Sequence, residues 1–190
     1  MELYKIDSED FDYEHLLAHE ENLKLIDSFT VSKQSGKGLE KYLKYSAIDE
    51  EQHKSNRTYL VKDRFTKEVA GYFSLRNGLF TIELNTDSFY SIPAIELSNF
   101  AVNSSYRKNH PETKYLGKTI FYDFVLPLVK YISNFSGIQA LYVYALPESE
   151  LIHHYETLGF SRLSERDESF VHSHVKPAYD AECIFMYQTI

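Results

Sequence analysis

Apolar residues follow two different spacings along the chain, and the spacing changes near residue 57. In 12–26 and 39–53, apolar residues recur at intervals of three and four, which predicts two amphipathic helices. A loop at 32–38 is predicted to connect them. From residue 57 onward, the apolar runs become short and rich in β-branched and aromatic residues, which is typical of strands.

The middle of the chain is predicted to form an antiparallel sheet. The runs predicted to be strands are 57–63, 68–75, 79–84 and 94–102. Turn residues such as Asn77 and Gly78 separate them, and turns of this kind join antiparallel neighbours. A long helix, a strand at 140–146, a short helix at 149–159 and a strand at 181–188 follow. Because helix alternates with strand there, at least one crossover is parallel, and we predict an α/β (α+β) fold with a mixed, mostly antiparallel sheet and flanking helices.

The long helix is predicted to begin near Leu116, because apolar residues recur at spacings of three and four from there to residue 135. Pro127 lies inside this pattern and is predicted to kink the helix, since proline donates no backbone hydrogen bond. Gly137 is predicted to end it. The segment 164–182 is predicted to be a long loop between the last two strands.

Length and composition indicate one globular domain, 1–190, since 190 residues are close to the roughly 150 of a typical domain. Hydrophobic residues make up 43% of the chain, which is enough for a core without disulfides or metals. The chain start lacks the basic and apolar pattern of a secretion signal, and no apolar run reaches the roughly 20 residues of a membrane span. We therefore expect a cytoplasmic protein that does not enter the membrane.

The net charge of −8 changes the expected partners. An acidic chain repels phosphate backbones and anionic membrane surfaces, so neither nucleic acid nor a membrane is expected to bind. The single cysteine, Cys183, excludes an internal disulfide, and its apolar neighbours favour a core position over a nucleophilic role. The sequence leaves the oligomeric state open, a homodimer included.

The segment 106–127 combines basic residues with the start of the long helix. The first N–H groups of a helix have no partner within it and lie at the positive end of its dipole, so they can bind an anion. Gly117 allows a ligand to approach this backbone closely. The basic residues nearby are Arg107, Lys108, Lys114 and Lys118. An anion-binding loop and a solvated basic loop that caps the helix are both compatible with this pattern.

This segment and the strand before it resemble the GNAT (Gcn5-related N-acetyltransferase) family, over approximately residues 57–190. Glu96 lies six residues before Val102, and the sequence LGK contains Gly117. The pattern is similar to the family's strand carboxylate, followed by the Arg/Gln-x-x-Gly-x-Gly/Ala loop that holds the pyrophosphate of acetyl-CoA.

The loop departs from the family pattern in length and in one glycine. Arg107 lies ten residues before Gly117, where the family usually has five, and Tyr115 stands in place of the first glycine. An insertion of about five residues near NHPET restores the register. Without an insertion Glu112 takes the Arg/Gln position, which would put a carboxylate beside a pyrophosphate.

A second segment, ESELIHHYETLGF, resembles the family's Asn-x-x-Ala-x-x-Phe-Tyr-x-x-x-Gly-Phe helix. Tyr155, Gly159 and Phe160 are in register with it. Glu148, Leu151 and His154 replace the expected Asn, Ala and Phe.

The resemblance implies an acetyl-CoA-dependent N-acetyltransferase that needs no metal. Glu96 is the implied base, directly or through water, and Tyr155 the implied proton donor to the CoA thiolate. The alternatives are a surface carboxylate paired with a lysine or arginine, and a packed aromatic ring. The residues implied in acetyl-CoA binding, at the pantetheine or the phosphate loop, are Phe100, Ala101, Val102, Arg107, Lys108, Lys114, Tyr115, Leu116, Gly117, Lys118, Thr119 and Ala145.

Two histidine pairs invite a metal interpretation, which the spacing disfavours. His153 and His154 would point about 100° apart on a helix, and no third ligand is spaced to join His172 and His174. We predict no metal site. His172 or His174 could contact substrate from the predicted late loop.

Three functions are compatible with the resemblance, and one lies outside it. The first is direct acetyl transfer, in a ternary complex, to a primary amine of a small molecule or peptide. The alternatives are an aminoacyl-tRNA-acetylating toxin, which the acidic charge disfavours, and a CoA-binding protein without turnover, which the altered loop favours. A protein-interaction domain outside the family is the fourth. No motif indicates the acceptor.

Overall fold

The computed structural model describes residues 4–6, 8–85, 88–174 and 182–190. Within these ranges the strands are β1 (Phe11–His15), β2 (Arg57–Asp63), β3 (Val69–Asn85), β4 (Ser88–Val102), β5 (Ala140–Ala145), β6 (Ser161–Arg162) and β7 (Ile184–Thr189). The helices are α1 (Asn22–Leu25), α2 (Lys37–Lys41), α3 (Ala47–Gln52), α4 (Ser104–Asn109), α5 (Leu116–Ile120), α6 (Leu126–Ser133), α7 (Ser149–Thr157) and α8 (Glu165–His174). None of these described helices is long and apolar enough to cross a bilayer.

The strands form a sheet in the order β1-β2-β3-β4-β5-β7-β6. Strands β4 and β5 pair in parallel, while β1–β2, β2–β3, β5–β7 and β6–β7 pair antiparallel. The predicted fold class is confirmed: a mixed, mostly antiparallel sheet with one parallel pair and flanking helices.

The chain divides into two compact units. Unit 1 is Met1–Arg76 with Ser98–Leu128, and unit 2 is Asn77–Leu97 with Val129–Ile190. A single domain over 1–190 stays a prediction, and the units are described separately below.

Unit 1 has a core beneath helices α1 to α3, and it corrects the first helix prediction. Residues 11–15 form strand β1 instead of the start of a helix, because they pair along β2 from Phe11 opposite Asp63 to His15 opposite Tyr59. A partner strand therefore overrides the local spacing of apolar residues. The buried residues of this core are Leu16, Ile26, Phe29, Leu43, Ala47, Leu60, Val69, Tyr72 and Ala101.

The second predicted helix is present, with a change of pitch at its centre. Helix α2 continues into α3 through a π-helical turn at Tyr42–Ser46. The long helix at 116–133 has the same construction and begins at Leu116, as predicted. Its π turn, Phe121–Val125, ends in a hydrogen bond from the Leu126 N–H to the Phe121 carbonyl, one residue before Pro127. The helix ends at Ser133 instead of Gly137.

Unit 2 corrects the turn predicted at Asn77 and Gly78. Strand β3 continues through both residues to Asn85. A Cβ atom on Gly78 would lie 2.2 Å from the Tyr142 hydroxyl, so this glycine permits a close approach and does not mark a turn. The core of unit 2 consists of Phe80, Ala94, Ala140, Tyr142, Val171 and Phe185.

Residues 165–174 form helix α8, where a loop was predicted. The Ser164 hydroxyl accepts a hydrogen bond from the Asp167 N–H at 3.2 Å and donates one to the Asp167 carboxylate at 2.7 Å. This Ser-x-x-Asp pair caps the helix, a signal that the sequence interpretation overlooked. The rest of the predicted loop, 175–181, lies outside the described residues. Cys183 is buried, as predicted, and the last strand begins at Ile184.

Candidate active site

The predicted site residues fall in both units, and unit 1 contains the start of the long helix. Tyr115 immediately precedes this helix and adopts a left-handed conformation, with φ 59° and ψ 26°. Its carbonyl accepts hydrogen bonds from the N–H groups of Lys118 (2.7 Å) and Thr119 (3.1 Å). None of the described residues accepts a hydrogen bond from the N–H of Leu116 or Gly117. Two backbone donors therefore remain at the positive end of the helix dipole.

The conformation of Tyr115 explains its place in the sequence pattern. Glycine adopts the left-handed region without the steric cost that a Cβ atom imposes, of about 1–2 kcal/mol. Tyr115 stands where the resemblance has its first glycine, and its backbone has the conformation that glycine favours. The residue is 76% exposed, so its side chain does not fill the core in compensation.

The basic residues predicted to lie together in a loop are distributed over two helices and the residues between them. Arg107 and Lys108 lie in the last turn of helix α4, which begins where the Asn103 side chain accepts a hydrogen bond from the Ser105 N–H at 3.1 Å. Both are exposed, as is Lys114, whereas Lys118 is half-buried in the first turn of the long helix. The basic groups thus belong to two helices and the residues that join them.

The segment joining these helices is fixed to the β2–β3 turn. The Tyr106 hydroxyl donates to the Asp63 carboxylate at 2.6 Å, and His110 Nε2 lies 2.8 Å from Glu68 Oε2. The hydrogen bond with Glu68 raises the pKa of His110, despite the opposing effect of burial, and Glu112 at 3.4 Å adds to the increase. Glu112, the alternative occupant of the Arg/Gln position, therefore has an imidazole as its neighbour.

Asp63 is the buried end of this connection. Although burial acts to raise its pKa, hydrogen bonds from Tyr106 and from the N–H groups of Thr66 and Phe65 lower it overall. The effect on Tyr106 is the opposite, because burial and the Asp63 charge raise the pKa of its phenol. The pair is therefore an anion held by a phenol that keeps its proton.

Glu96 lies in unit 2 and is buried, at 3% exposure. The Tyr142 hydroxyl donates a hydrogen bond to Glu96 Oε2 at 3.0 Å, and Gly78 leaves the space that this hydroxyl needs. The side chain is therefore enclosed and does not lie on the strand surface. Tyr142 had no signal in the sequence spacing, because it reaches Glu96 only through the register of β4 and β5.

The parallel pairing of β4 and β5 is short. It joins 94–96 to 140–142 and ends at the Glu96–Tyr142 pair, although β4 continues to Val102 and β5 to Ala145. Phe100 and Val102 are half-buried on β4, and Ala101 packs in the core of unit 1. Ala145 is buried in unit 2 and pairs with Ile184 of β7.

Tyr155 lies on helix α7 and is 6% exposed. Its ring packs edge-on against Phe160 at 5.4 Å, and the Phe160 N–H bonds back to the Tyr155 carbonyl at 3.1 Å. The chain turns back at Gly159, which has a φ of 92°. The sequence predicts this glycine at the end of the helix, where a left-handed residue is common. Burial raises the pKa of Tyr155, so the phenol keeps its proton at neutral pH. Its hydroxyl makes no hydrogen bond to any residue that the structure describes.

The histidines of the two pairs considered for metal binding, 153/154 and 172/174, are in different surroundings. His153 lies 3.5 Å from Glu156, the His154 ring is beside Tyr155, and the His172 ring is 5.8 Å from that of Tyr144. His172 and His174 lie on α8 instead of a loop. Within the described ranges, no group of three or more His, Cys, Asp or Glu residues is placed to hold a metal ion.

Comparison with known proteins supports the fold. No family model matches the chain. A crystal structure of AtaTR bound with AcCoA is similar at a TM-score of 0.66 and 21% identity, covering 96% of this chain and 94% of that one. A KacT mutant is similar at a TM-score of 0.68 and 16% identity, covering 95% of each chain. AtaT complexed with acetyl-methionyl-tRNAfMet is similar at 0.64 and 16%, again covering 95% of each. At these identities the comparison establishes the fold.

Proposed function

We propose that the chain is an N-acetyltransferase of the GNAT family that uses acetyl-CoA to acetylate a primary amine. The observation that carries the proposal is the buried Glu96 carboxylate, which accepts a hydrogen bond from Tyr142 where the parallel strand pairing ends. The similarity to a fold solved with AcCoA supports acetyl-CoA as the cosubstrate.

Two features suit acetyl-CoA binding. They are the start of the long helix at Leu116 and the part of strand β4 that follows Glu96. The free N–H groups of Leu116 and Gly117 suit the pyrophosphate, with positive charge from basic side chains near them. Strand β4 beyond Glu96 suits backbone pairing with the pantetheine. The further residues proposed to bind acetyl-CoA are Phe100, Ala101, Val102, Arg107, Lys108, Lys114, Tyr115, Lys118 and Thr119 in unit 1, and Ala145 in unit 2.

Two side chains of unit 2, Glu96 and Tyr155, each take part in one proton transfer in the proposed reaction. The neutral amine nitrogen attacks the thioester carbonyl carbon, and Glu96 accepts the proton that the nitrogen loses, directly or through water. The carbon–sulfur bond then breaks, and the Tyr155 hydroxyl donates a proton to the leaving thiolate. Because burial keeps this phenol protonated at neutral pH, Tyr155 can donate a hydrogen bond to the sulfur as negative charge develops there.

Two acceptor classes have support. A small-molecule or peptide amine agrees with the net charge of −8, because a tRNA-binding protein is expected to present a basic surface. An aminoacyl-tRNA agrees with the similarity to AtaT complexed with acetyl-methionyl-tRNAfMet. We place the small-molecule or peptide amine first.

Thermal unfolding with and without acetyl-CoA tests the cosubstrate, with ATP as the control anion. At a hundred times the dissociation constant, binding adds about 2.7 kcal/mol, equivalent to roughly 5–10 °C in a domain of this size. A shift with acetyl-CoA and none with ATP is expected. Equal shifts or no shift would contradict the proposal.

Release of CoA thiol in the presence of small amines, peptides or aminoacyl-tRNA then separates the acceptors. Acetyl-CoA binding without release of CoA thiol in the presence of any of these acceptors would favour the CoA-binding protein without turnover.

A further inference from the structure

The Tyr142 ring, on strand β5 in unit 2, is held in place by other aromatic rings. The residue is 5% exposed. Its ring stacks on that of Phe185 with centroids 5.4 Å apart, and it packs edge-on against Phe80 at 5.9 Å and Tyr144 at 6.0 Å. Contacts of this kind have a preferred geometry, and a close-packed core leaves a ring little freedom to shift. The core of unit 2 therefore sets the position of the Tyr142 hydroxyl.

Gly78 lies against this hydroxyl from strand β3, two strands away in the sheet. A Cβ atom at Gly78 would lie 2.2 Å from the hydroxyl oxygen and 3.0 Å from two carbon atoms of the ring. Any residue with a side chain here must displace the phenol, because contacts that short are well inside van der Waals distance. The same displacement would disturb the aromatic contacts of the ring. Glycine at position 78 is therefore what allows the hydroxyl to occupy its place.

The hydroxyl in this position holds the Glu96 carboxylate. It donates a hydrogen bond to Glu96 Oε2 at 3.0 Å, and both residues are buried. Glu96 and Tyr142 are also opposite each other in the last pair of the parallel β4–β5 ladder, so their backbones are fixed as well. A general base works only when its oxygen comes within about 2.6–3.2 Å of the group that loses the proton. A donor that fixes the orientation of the carboxylate therefore affects the rate of the proposed reaction.

We propose that Tyr142 is a positioning residue for Glu96, and that Gly78 is required for this role. The proposal deepens the proposed function and rests on it. Glu96 accepts the proton that the amine loses, while Tyr142 keeps its own proton and holds the carboxylate in the orientation that accepts it. Since this acts on the chemical step and not on acceptor binding, kcat is expected to change more than KM.

Tyr142→Phe tests the hydroxyl, because it keeps the ring and its aromatic contacts. We expect kcat for the best amine to fall by about 10-fold to 100-fold, with KM within about threefold, from the usual cost of a misplaced catalytic group. In a Glu96→Gln background the same substitution should lower kcat by less than about threefold, since the group that Tyr142 positions is already absent. Tyr90→Phe, which removes a phenol hydrogen bond to Gln139 elsewhere on β4, is the matched control and should leave kcat unchanged.

Gly78→Ala tests the space for the hydroxyl. It should lower kcat by a factor similar to that of Tyr142→Phe, although it removes no catalytic group. Added to Tyr142→Phe, it should cost less than about threefold more in kcat, because the oxygen atom at 2.2 Å is then gone. Gly137→Ala is the matched control, since a Cβ atom there would meet no described atom within 4 Å beyond its chain neighbours. Tyr142→Phe serves alone if Gly78→Ala does not fold.

The Tyr142 hydroxyl proton, observed by NMR, gives a readout that needs no turnover. A buried, hydrogen-bonded hydroxyl exchanges slowly with water, so its signal is expected in the wild type and in Gly137→Ala. In Gly78→Ala the signal is expected to move or disappear. A signal that Gly78→Ala leaves in place would overturn the requirement for Gly78.

The kinetic outcomes separate this proposal from the proposed function. If Glu96→Gln loses activity while Tyr142→Phe keeps kcat within about threefold of the wild type, the positioning role is overturned and the proposed function stands. Equal losses from Tyr142→Phe with and without Glu96→Gln would also overturn the positioning role, because they would show an effect on packing alone. A wild type that acetylates no amine, but whose hydroxyl signal is lost in Gly78→Ala, would remove the proposed function and support the dependence of the Tyr142–Glu96 hydrogen bond on Gly78.

Discussion

Glu51 in unit 1 and Glu96 in unit 2 are both buried carboxylates, but their partners differ. Glu51 lies 2.8 Å from the Arg57 guanidinium and 3.0 Å from the His15 imidazole. Glu96 accepts a hydrogen bond from the neutral phenol of Tyr142. A guanidinium stabilises the charged form of a carboxylate and makes it a poor proton acceptor. Arg57 therefore suits Glu51 to a structural role, so burial alone does not separate a structural carboxylate from a candidate base.

The pKa of Glu51 follows this rule. Burial acts to raise it, but hydrogen bonds from His15, the Thr58 N–H and Arg57 lower it overall. Glu51 therefore stays charged at neutral pH and joins helix α3 to strands β1 and β2. Its role is structural.

The largest expected effect comes from Glu96→Gln. Removing a general base lowers kcat by about 10²-fold to 10⁴-fold, while the amide can still accept the Tyr142 hydrogen bond. The free energy of unfolding is expected to change by less than about 1 kcal/mol. Steady-state kinetics with the best amine and urea unfolding measure the two quantities. A kcat within threefold of the wild type would assign the base to another group.

The next effect comes from Arg57→Met, which leaves the Glu51 carboxylate without its guanidinium. We expect a loss of about 2–3 kcal/mol in the free energy of unfolding, because one partner of a buried charge is removed while His15 remains. Arg57→Lys, the matched control, should recover part of this loss. Urea unfolding measures both variants. An unchanged free energy for Arg57→Met would contradict the structural role.

The smallest effect is expected at His110, at the edge of unit 1. Folding raises the pKa of His110, so its contribution to stability is complete below the unfolded pKa of about 6.5 and is lost as pH rises through the folded value. His110→Gln should therefore lower the melting temperature at pH 6 and leave it unchanged at pH 9. His53→Gln, at an exposed pair with Asp49, is the matched control. A difference of equal size at both pH values would show that packing, not charge, explains it.

The strands at 57–63 and 140–145 and the start of the long helix were predicted from the sequence, because each depends on local apolar spacing. Prediction from the sequence failed where a distant partner decides the structure. Residues 11–15 form a strand because β2 pairs with them, and Gly78 continues β3 because Tyr142 needs the space. Helix α8 is different, since its Ser164 cap was present in the sequence and was overlooked.

The roles that the sequence suggests for the candidate site residues stay predictions. Glu96 and Tyr155 are buried, and their partners depend on strand register and helix packing. Tyr142 carries no motif and becomes visible only when residues far apart in sequence meet. Its hydrogen bond to Glu96 depends on the register of β4 and β5, which spacing along the chain does not encode.

The left-handed backbone of Tyr115 has a consequence for how tightly an anion can bind. This conformation costs a residue with a Cβ atom about 1 kcal/mol, and the hydrogen bonds that the Tyr115 carbonyl accepts from the Lys118 and Thr119 N–H groups oppose that cost. For any anion that uses the N–H groups of Leu116 and Gly117, strain that these hydrogen bonds do not offset lowers the measured affinity below the intrinsic one.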